Sequence, residues 1–399
     1  MTLVSAIAEP FDPFAGAEQT VVGAVRDPYP ALAEKRRTTP VEVVDEDFGR
    51  HVEIYTYEDV ERVLRDNHTF SSTVYVEVMG LLMGHTILEM DEPEHRLHRH
   101  LVSHAFRQKV LAHWEDALVG EVVDDLIGRF ADRGRADLVR ELTFPFPVKV
   151  IAGILGLPER DYVHFQKWSL ALISVAYDFD RAVAASQSLK EYFGPIVDQR
   201  RAEPAEDLIS DLCQAEVDGQ RLSDEEIFAF LRLLLPAGVE TTYRSSGNLL
   251  FALLTHPDQL DAVRRDRSLL PQAIEEGLRW EPPLLGIMRA PTIDVEIRGV
   301  AIPAGTAVGV NIGSANRDET RYERPDVFDI RRDPKQHIAF GFGPHMCLGM
   351  HLARMETRVA VSAVLDRLPN LRLDPADTSD AHIHGDIFRS PTTLPVLFG

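Results

Sequence analysis

Cysteine is nearly missing from this chain of 399 residues: Cys213 and Cys347 are the only two. Two thiols cannot build a disulfide framework or a four-thiolate zinc site. Basic residues are also scarce. Forty-two Lys and Arg stand against 63 Asp and Glu, a formal charge of −21. That balance argues against a nucleic-acid partner, because phosphate recognition needs a basic surface. Long apolar runs do not occur. The most apolar helical stretch, Ile227 to Val239, is interrupted by Arg232 and Pro236 and is too short to span a bilayer. The opening segment carries Glu9, Asp12, Glu18, Arg26 and Asp27, and lacks the basic stretch and apolar run of a signal peptide. Internal repeats, low-complexity tracts and long flexible linkers are absent as well. These absences predict a soluble, cytoplasmic protein with no membrane anchor.

What is present is an ordinary globular mixture, 45% apolar and 26% charged, able to bury a sizeable core. Alternation predicts strands at Val41 to Val44 and His51 to Thr56, then a helix from Glu58 to Leu64. A second strand cluster is expected from Ile293 to Val310, with a hairpin turn at Arg298-Gly299, and a third from His382 to Phe398. Between them, Asp91 to Pro282 reads as almost entirely helical. The fold class is therefore mainly α with small β-sheets. Because the sheet pieces lie so far apart in sequence, one integrated domain over 1–399 is expected, residues 1–26 forming an extended N-terminal arm.

The sharpest motif is Phe340-Gly341-Phe342-Gly343-Pro344-His345-Met346-Cys347-Leu348-Gly349, leading into a helix from Met350 to Leu368. Its glycines let backbone approach another object closely. The cysteine sits where a helix begins, and the positive dipole end there is expected to lower its pKa and favour the metal-binding thiolate. A structural buried cysteine and a Cys-His nucleophile using His345 are the alternatives. A second feature is the helix from Ser223 to Leu254, which opens with the capping box Ser223-x-x-Glu226. Pro236-Ala237-Gly238-Val239-Glu240-Thr241-Thr242 is expected to break and kink it, since Pro236 cannot donate to the Arg232 carbonyl. The kinked turn is a candidate ligand pocket with proton donors; the plainer reading pairs Glu240 with Arg244 in a solvated ion pair.

Glu276 and Arg279 share one helix, though Glu34 and Arg37 have the same spacing. Asp91-Glu92-Pro93-Glu94 reads as a capped helix start. On that helix His95 and Arg99 share one face, while Arg96, His100 and Arg107 gather on another. Buried cations of this kind require a partner. His100 and His104 lack a third ligand for a metal.

These features, in this order, resemble the cytochrome P450 superfamily, the thiolate-haem monooxygenases, of the soluble bacterial type. The loop matches the F-G-x-G-x-H-x-C-x-G signature and continues through Ala353 and Glu356. Ala237 to Thr241 matches A-G-x-E-T, Glu276 to Arg279 matches E-x-x-R, and Ala315-Asn316-Arg317-Asp318 is similar to a segment common in bacterial members. Pro236 departs from many relatives, as do His98 and His100 beside Arg99.

The resemblance implies a P450 fold with haem b between two long helices and Cys347 as the axial iron ligand. It implies that His95, Arg99, Arg289 and His345 hold the haem propionates, and that Ala237, Phe340, Gly341 and Gly349 lie against the haem. Glu240 and Thr241 match the acid–alcohol pair that delivers protons during catalysis, whereas Glu276 and Arg279 match a structural pair. The implied reaction inserts one atom of O2 into a C–H or C=C bond, with electrons from a ferredoxin and its reductase, the enzyme acting as a monomer. Resemblance also assigns a substrate pocket to Val74, Tyr75, Val78, Met79, Leu81, Leu82, Leu233, Pro236, Ala237, Leu284, Ile287 and Phe388. None of these is charged, so an apolar terpenoid, steroid or fatty-acyl substrate is expected. Arg96, His100, Arg107, Lys109, Arg354 and Arg358 form the candidate ferredoxin-docking surface. A thiolate-haem sensor and a peroxide-driven peroxygenase are the rival readings within this chemistry. An intact Glu240-Thr241 argues against the peroxygenase.

Overall fold

The largest sheet joins strands from opposite ends of the chain. In the computed structural model, which describes residues 25–46, 49–173, 178–377, 379 and 381–399, Val41–Glu46 pairs antiparallel with Gly49–Ile54. Gly49–Ile54 then pairs in parallel with Ala307–Asn311. Ala307–Asn311 pairs antiparallel with Gly286–Pro291, which carries Phe70–Ser71 on its far edge. Val52, Ile54, Val308 and Val310 face inward onto Val60, Val63 and Leu64 of the helix Tyr57–Arg65, making one apolar cluster. That helix is amphipathic, and Thr56 caps it by accepting from the Asp59 amide.

Strand expectations held in part. Val295–Ile297 and Val300–Ile302 form the expected hairpin, and Arg298 and Gly299 both take positive φ (49° and 83°), as a two-residue turn of this kind demands. Gly286–Pro291 was not foreseen, since the expected strand cluster began only at Ile293. The C-terminal cluster is mostly irregular. Only Pro395–Leu397 is a strand there, held between Arg135–Asp137 and Arg372–Leu373, with single bridges at Leu284–Phe388 and His384–Ser390. Residues 1–24 of the expected N-terminal arm lie outside the described residues.

Helices fill the rest. The central one, Asp224–Thr255, starts at the full capping box of Ser223 and Glu226, with both reciprocal hydrogen bonds made, worth about 1 kcal/mol. It runs unbroken through Pro236, contrary to the expected interruption. Proline removes one hydrogen bond, but residues on both sides are locked in the core: Leu231, Leu235 and Val239 are fully buried. Tertiary packing outweighs the local defect. Most of its faces are covered, by the helices Pro145–Ile154, Tyr162–Ile173, Leu270–Trp280 and Met350–Arg367 among others. The main apolar core, which extends from Leu101 to Phe398 in the chain, surrounds it.

The Asp91 turn differs from expectation. The helix begins at Glu94 without a side-chain cap. The Asp91 carboxylate instead accepts from the Ser72 amide at 3.0 Å and the Ser71 hydroxyl at 2.5 Å. This ties the helix start to the strand beside the cysteine loop.

Candidate active site

The loop before Cys347 is shaped by backbone proximity. Gly343 has φ +72°, and a Cβ there would sit 2.4 Å from the Leu64 carbonyl oxygen, so no larger residue fits. The Cys347 amide donates to the Phe340 carbonyl at 2.8 Å and closes the loop. The helix Met350–Arg367 then leads away. Cys347 is exposed, whereas Cys213 is buried.

The expected fall in the Cys347 pKa is not what the structure gives. Protein mass on the closed sides desolvates the thiol and raises its pKa, while the Gly349 amide, Arg99 and Arg354 pull the other way. The helix starts three residues later, so its dipole is too remote to win. A bound metal ion would reverse this balance, since coordination deprotonates a thiol.

The central helix carries an opening of its own, a cleft marked by the residues it leaves uncovered. Although most of that helix is buried, Leu233, Thr241 and Ser245 are half-buried and Ala237 is exposed. Spaced four apart, they form one open stripe. The Thr241 hydroxyl donates to the Ala237 carbonyl at 2.7 Å. Glu240 points elsewhere: it is 1% exposed and accepts from Arg244 at 3.0 Å, so the pair is buried and not solvated. Burial raises the Glu240 pKa and Arg244 opposes the rise. Glu240 and Thr241, neighbours in sequence, therefore bond to different partners on different faces.

At the other side four basic groups converge. His95 and His345 stack with ring centroids 3.9 Å apart. Arg99 donates to the Met346 carbonyl at 2.5 Å, and buried Arg289 donates to the Met288 carbonyl at 2.7 Å. Neither ring nitrogen of His95 makes a hydrogen bond, and the nearest carboxylate, Glu92, is 3.6 Å away. Burial, then repulsion from His95, Arg289 and Arg99, pushes the His345 pKa down to about 3. Burial and Arg99 likewise lower His95. Such a cluster is costly unless anions neutralise it. An anionic group with an apolar body, carboxylates at this cluster and metal at Cys347, fits these residues; haem has that chemistry.

The predicted pocket residues separate into two groups. Leu284 bridges Phe388, and Tyr75 accepts from the Met288 amide at 2.8 Å beside Ile287. These four and Val74 are half-buried. Met79 and Leu233 pack instead on a small cluster of Leu82, Met83 and Ala182. Leu82 is fully buried and Pro236 is buried, so neither is a lining residue; both are consumed by packing. Leu81 is 71% exposed, on the outside of its short helical turn. The side chain of Val78 lies outside the described part of the structure. Nor is the region uncharged, because Arg232 lies against this second group, a residue the sequence reading treated only as an interruption.

Further residues are reassigned by their partners. Glu276 and Arg279 form a buried bidentate pair at 2.7 and 2.8 Å that also binds the Asp329 amide and three carbonyls. Glu34 and Arg37, with the same spacing, pair on the exposed surface. In the candidate docking surface Arg96, His100, Arg107 and Lys109 are exposed. Arg354 is instead engaged by Glu275 and Arg358 by Glu115, at 2.7 and 2.6 Å, which weakens their share of the patch. Glu356, quoted only as a motif position, is fully buried and its pKa is pushed up to about 8 by desolvation. The described residues contain no group of three or more metal-ligating side chains, His100 and His104 included, and no helix long and apolar enough to cross a membrane.

Comparison with known proteins identifies the family. The family model described as Cytochrome P450 matches residues 160–382. The chain is 37% identical over 379 residues to cytochrome P450 monooxygenase PikC of Streptomyces venezuelae, covering 93% of this chain and 91% of that protein. It is 39% identical over 352 residues to a steroid C26-monooxygenase of Mycolicibacterium smegmatis, covering 86% of each. The crystal structure of CYP109E1 from Bacillus megaterium in complex with testosterone superimposes with a TM-score of 0.85 at 33% identity, covering 94% of this chain and 99% of that one.

Proposed function

This chain belongs to the cytochrome P450 family and is a monooxygenase of that family, and from that premise we propose that it inserts one atom of O2 into a C–H or C=C bond of an apolar skeleton of terpenoid, steroid or fatty-acyl character, using electrons from a ferredoxin. The observation that carries the reading is the open stripe Leu233-Ala237-Thr241 in a central helix otherwise buried, together with the exposed thiol of Cys347.

Haem, when bound, supplies the redox chemistry that activates O2. Cys347 is the residue to hold its iron, from a loop fixed by the Phe340 carbonyl. His95, Arg99, Arg289 and His345 would hold its carboxylates, which would supply the anions that this basic cluster lacks. Thr241 keeps a proton on its hydroxyl, parked on the Ala237 carbonyl and free to turn into the cleft. Glu240 is a proton reserve behind it, reached only when the Arg244 bond opens. Substrate is oriented by apolar contact with Leu284, Ile287 and Phe388, which also excludes water. The exposed Arg96, Arg107 and Lys109 attract an acidic redox partner to the cysteine side.

Turnover with a ferredoxin and its reductase under isotopically labelled O2 tests this. One labelled oxygen atom per product molecule is expected. Neither sustained electron consumption nor oxygenated product with every steroid, terpenoid and fatty-acyl candidate would favour a gas sensor, and efficient turnover with peroxide alone would favour a peroxygenase.

A further inference from the structure

Among the described residues seven arginines are buried: Arg36, Arg232, Arg244, Arg279, Arg289, Arg317 and Arg389. Five have a carboxylate at ion-pairing distance. Arg36 faces Glu319, Arg244 faces Glu240, Arg279 faces Glu276, Arg317 faces Glu281 and Asp326, and Arg389 faces Glu281. The two without are Arg289 and Arg232. Arg289 belongs to the basic cluster already matched to an anionic group. Arg232 has no counterpart in that site.

Arg232 is 9% exposed and lies on the central helix, one residue before the open stripe. Its Nε donates to the Phe228 carbonyl and its Nη1 to the Ser186 hydroxyl, both at 3.2 Å. The Ser186 proton is spent on the Leu82 carbonyl. Nη2 has no acceptor among the described residues. The turn ending at Gly84 approaches this nitrogen with bare backbone: Gly84 has φ +80°, and a Cβ there would stand 3.1 Å from Nη2. Among the described residues the acid acting on Arg232 at a distance is Glu225, itself bonded to Lys190 at the surface. Nη2 is not among the fully buried polar atoms, so the guanidinium meets solvent at one tip while its other nitrogens have only neutral acceptors, and an anion at that tip would be charge-assisted.

Through Gly84 and Ser186 the guanidinium adjoins a small apolar cluster, Leu82 and Met83 with Met79 and Leu233 packed on them. Nine residues separate Arg232 from Thr241, roughly 14 Å along a helix, and the guanidinium reaches back further, toward Phe228. An anion bound there is therefore distant from the point of oxidation.

We propose that Arg232 binds the carboxylate of an amphiphilic acid, Nη2 taking the anion while the long apolar body runs along Leu233 and Ala237 toward Thr241. This deepens the monooxygenase reading and rests on it. Oxygen then enters the substrate near the end remote from its carboxylate.

The experiment uses the haem-loaded protein whose ferrous–CO band has been verified, so failure of the family reading is seen before any ligand is added. Saturated fatty acids of graded length and steroid carboxylic acids are titrated against their methyl esters and alcohols, following the haem absorption shift. Charge-assisted hydrogen bonding predicts acids tighter than their neutral counterparts by roughly ten- to a hundredfold. Arg232→Gln should abolish that ratio while leaving the neutral ligands' affinities unchanged, and Arg232→Lys should restore part of it. Equal affinity for acids and neutral counterparts across the series in the unaltered protein overturns the proposal, whether or not the variants fold. An acid preference that survives Arg232→Gln undiminished overturns it too.

Discussion

Replacing Glu356 by glutamine should change how stability depends on pH more than it changes stability at any one acidic pH. Glu356 is 1% exposed, and its Oε1 makes no hydrogen bond. Burial pushes its pKa from 4.5 up to about 8, opposed only by the Thr242 side chain. The folded protein thus keeps a proton that the unfolded chain releases. Below pH 4.5 both states are protonated and the group contributes no pH dependence. Between pH 4.5 and about 8 the unfolded state binds fewer protons, so stability falls as pH rises, by about 1.4 kcal/mol per pH unit. Above pH 8 the loss is complete, on the order of 5 kcal/mol. Glutamine has the same shape and never ionises. Glu356→Gln should therefore gain on the unaltered protein progressively from pH 5 to pH 8 and then run parallel to it. Guanidinium unfolding of both holoproteins, followed by far-UV circular dichroism at each pH, measures the gap. A constant gap across this range would refute the reasoning, because it would mean that Glu356 ionises alike in both states.

Three other outcomes are expected. Cys347→Ser should abolish the red-shifted band of the ferrous–CO complex, and Cys213→Ser, a change at a buried thiol bonded only within its own surroundings, should leave it; survival of the band in the first variant would remove Cys347 as ligand. Thr241→Ala deletes the hydroxyl parked on the Ala237 carbonyl, so electrons should still be consumed but diverted to peroxide, read as a lower ratio of product to electrons. Arg107→Glu should slow reduction by a ferredoxin, most at low salt, without altering substrate affinity; reduction indifferent to both salt and this reversal would place docking elsewhere.

Much of the fold was legible because local rules and tertiary packing agree. Ser223 with Glu226 announces the central helix, and Arg298-Gly299 announces a hairpin whose backbone needs two positive φ angles. The misses arise where they disagree. Pro236 breaks a local rule, but the helix survives it because its neighbours are held by four surrounding helices. His382 to Phe398 has the composition of strands yet finds few edges to pair with, and only Pro395–Leu397 does so. Strand formation needs a partner that the segment's own residues cannot specify.

The same division runs through the site. Backbone-determined features were readable: the glycines around Cys347 mark close approach, and Gly343 indeed meets the Leu64 carbonyl. Charges were not, because a charge is defined by what faces it. Glu276-x-x-Arg279 and Glu34-x-x-Arg37 are identical as spacing, yet one pair is buried and holds the backbone near Asp329 while the other lies in water. The plainer reading of Glu240, a solvated pair with Arg244, has the right partner and the wrong environment, since the pair is buried. Arg232 looked like a flaw in an apolar run. A lone charge in a stretch otherwise fit for the core carries a signal all the same, since removing it would cost the helix nothing locally. Such a charge is served by a protein carboxylate, as for Arg244 and Arg279, by solvent at its tip, or by a ligand. The structure gives Arg232 no carboxylate at ion-pairing distance among the described residues, and a substrate carboxylate at Nη2 is the partner we propose.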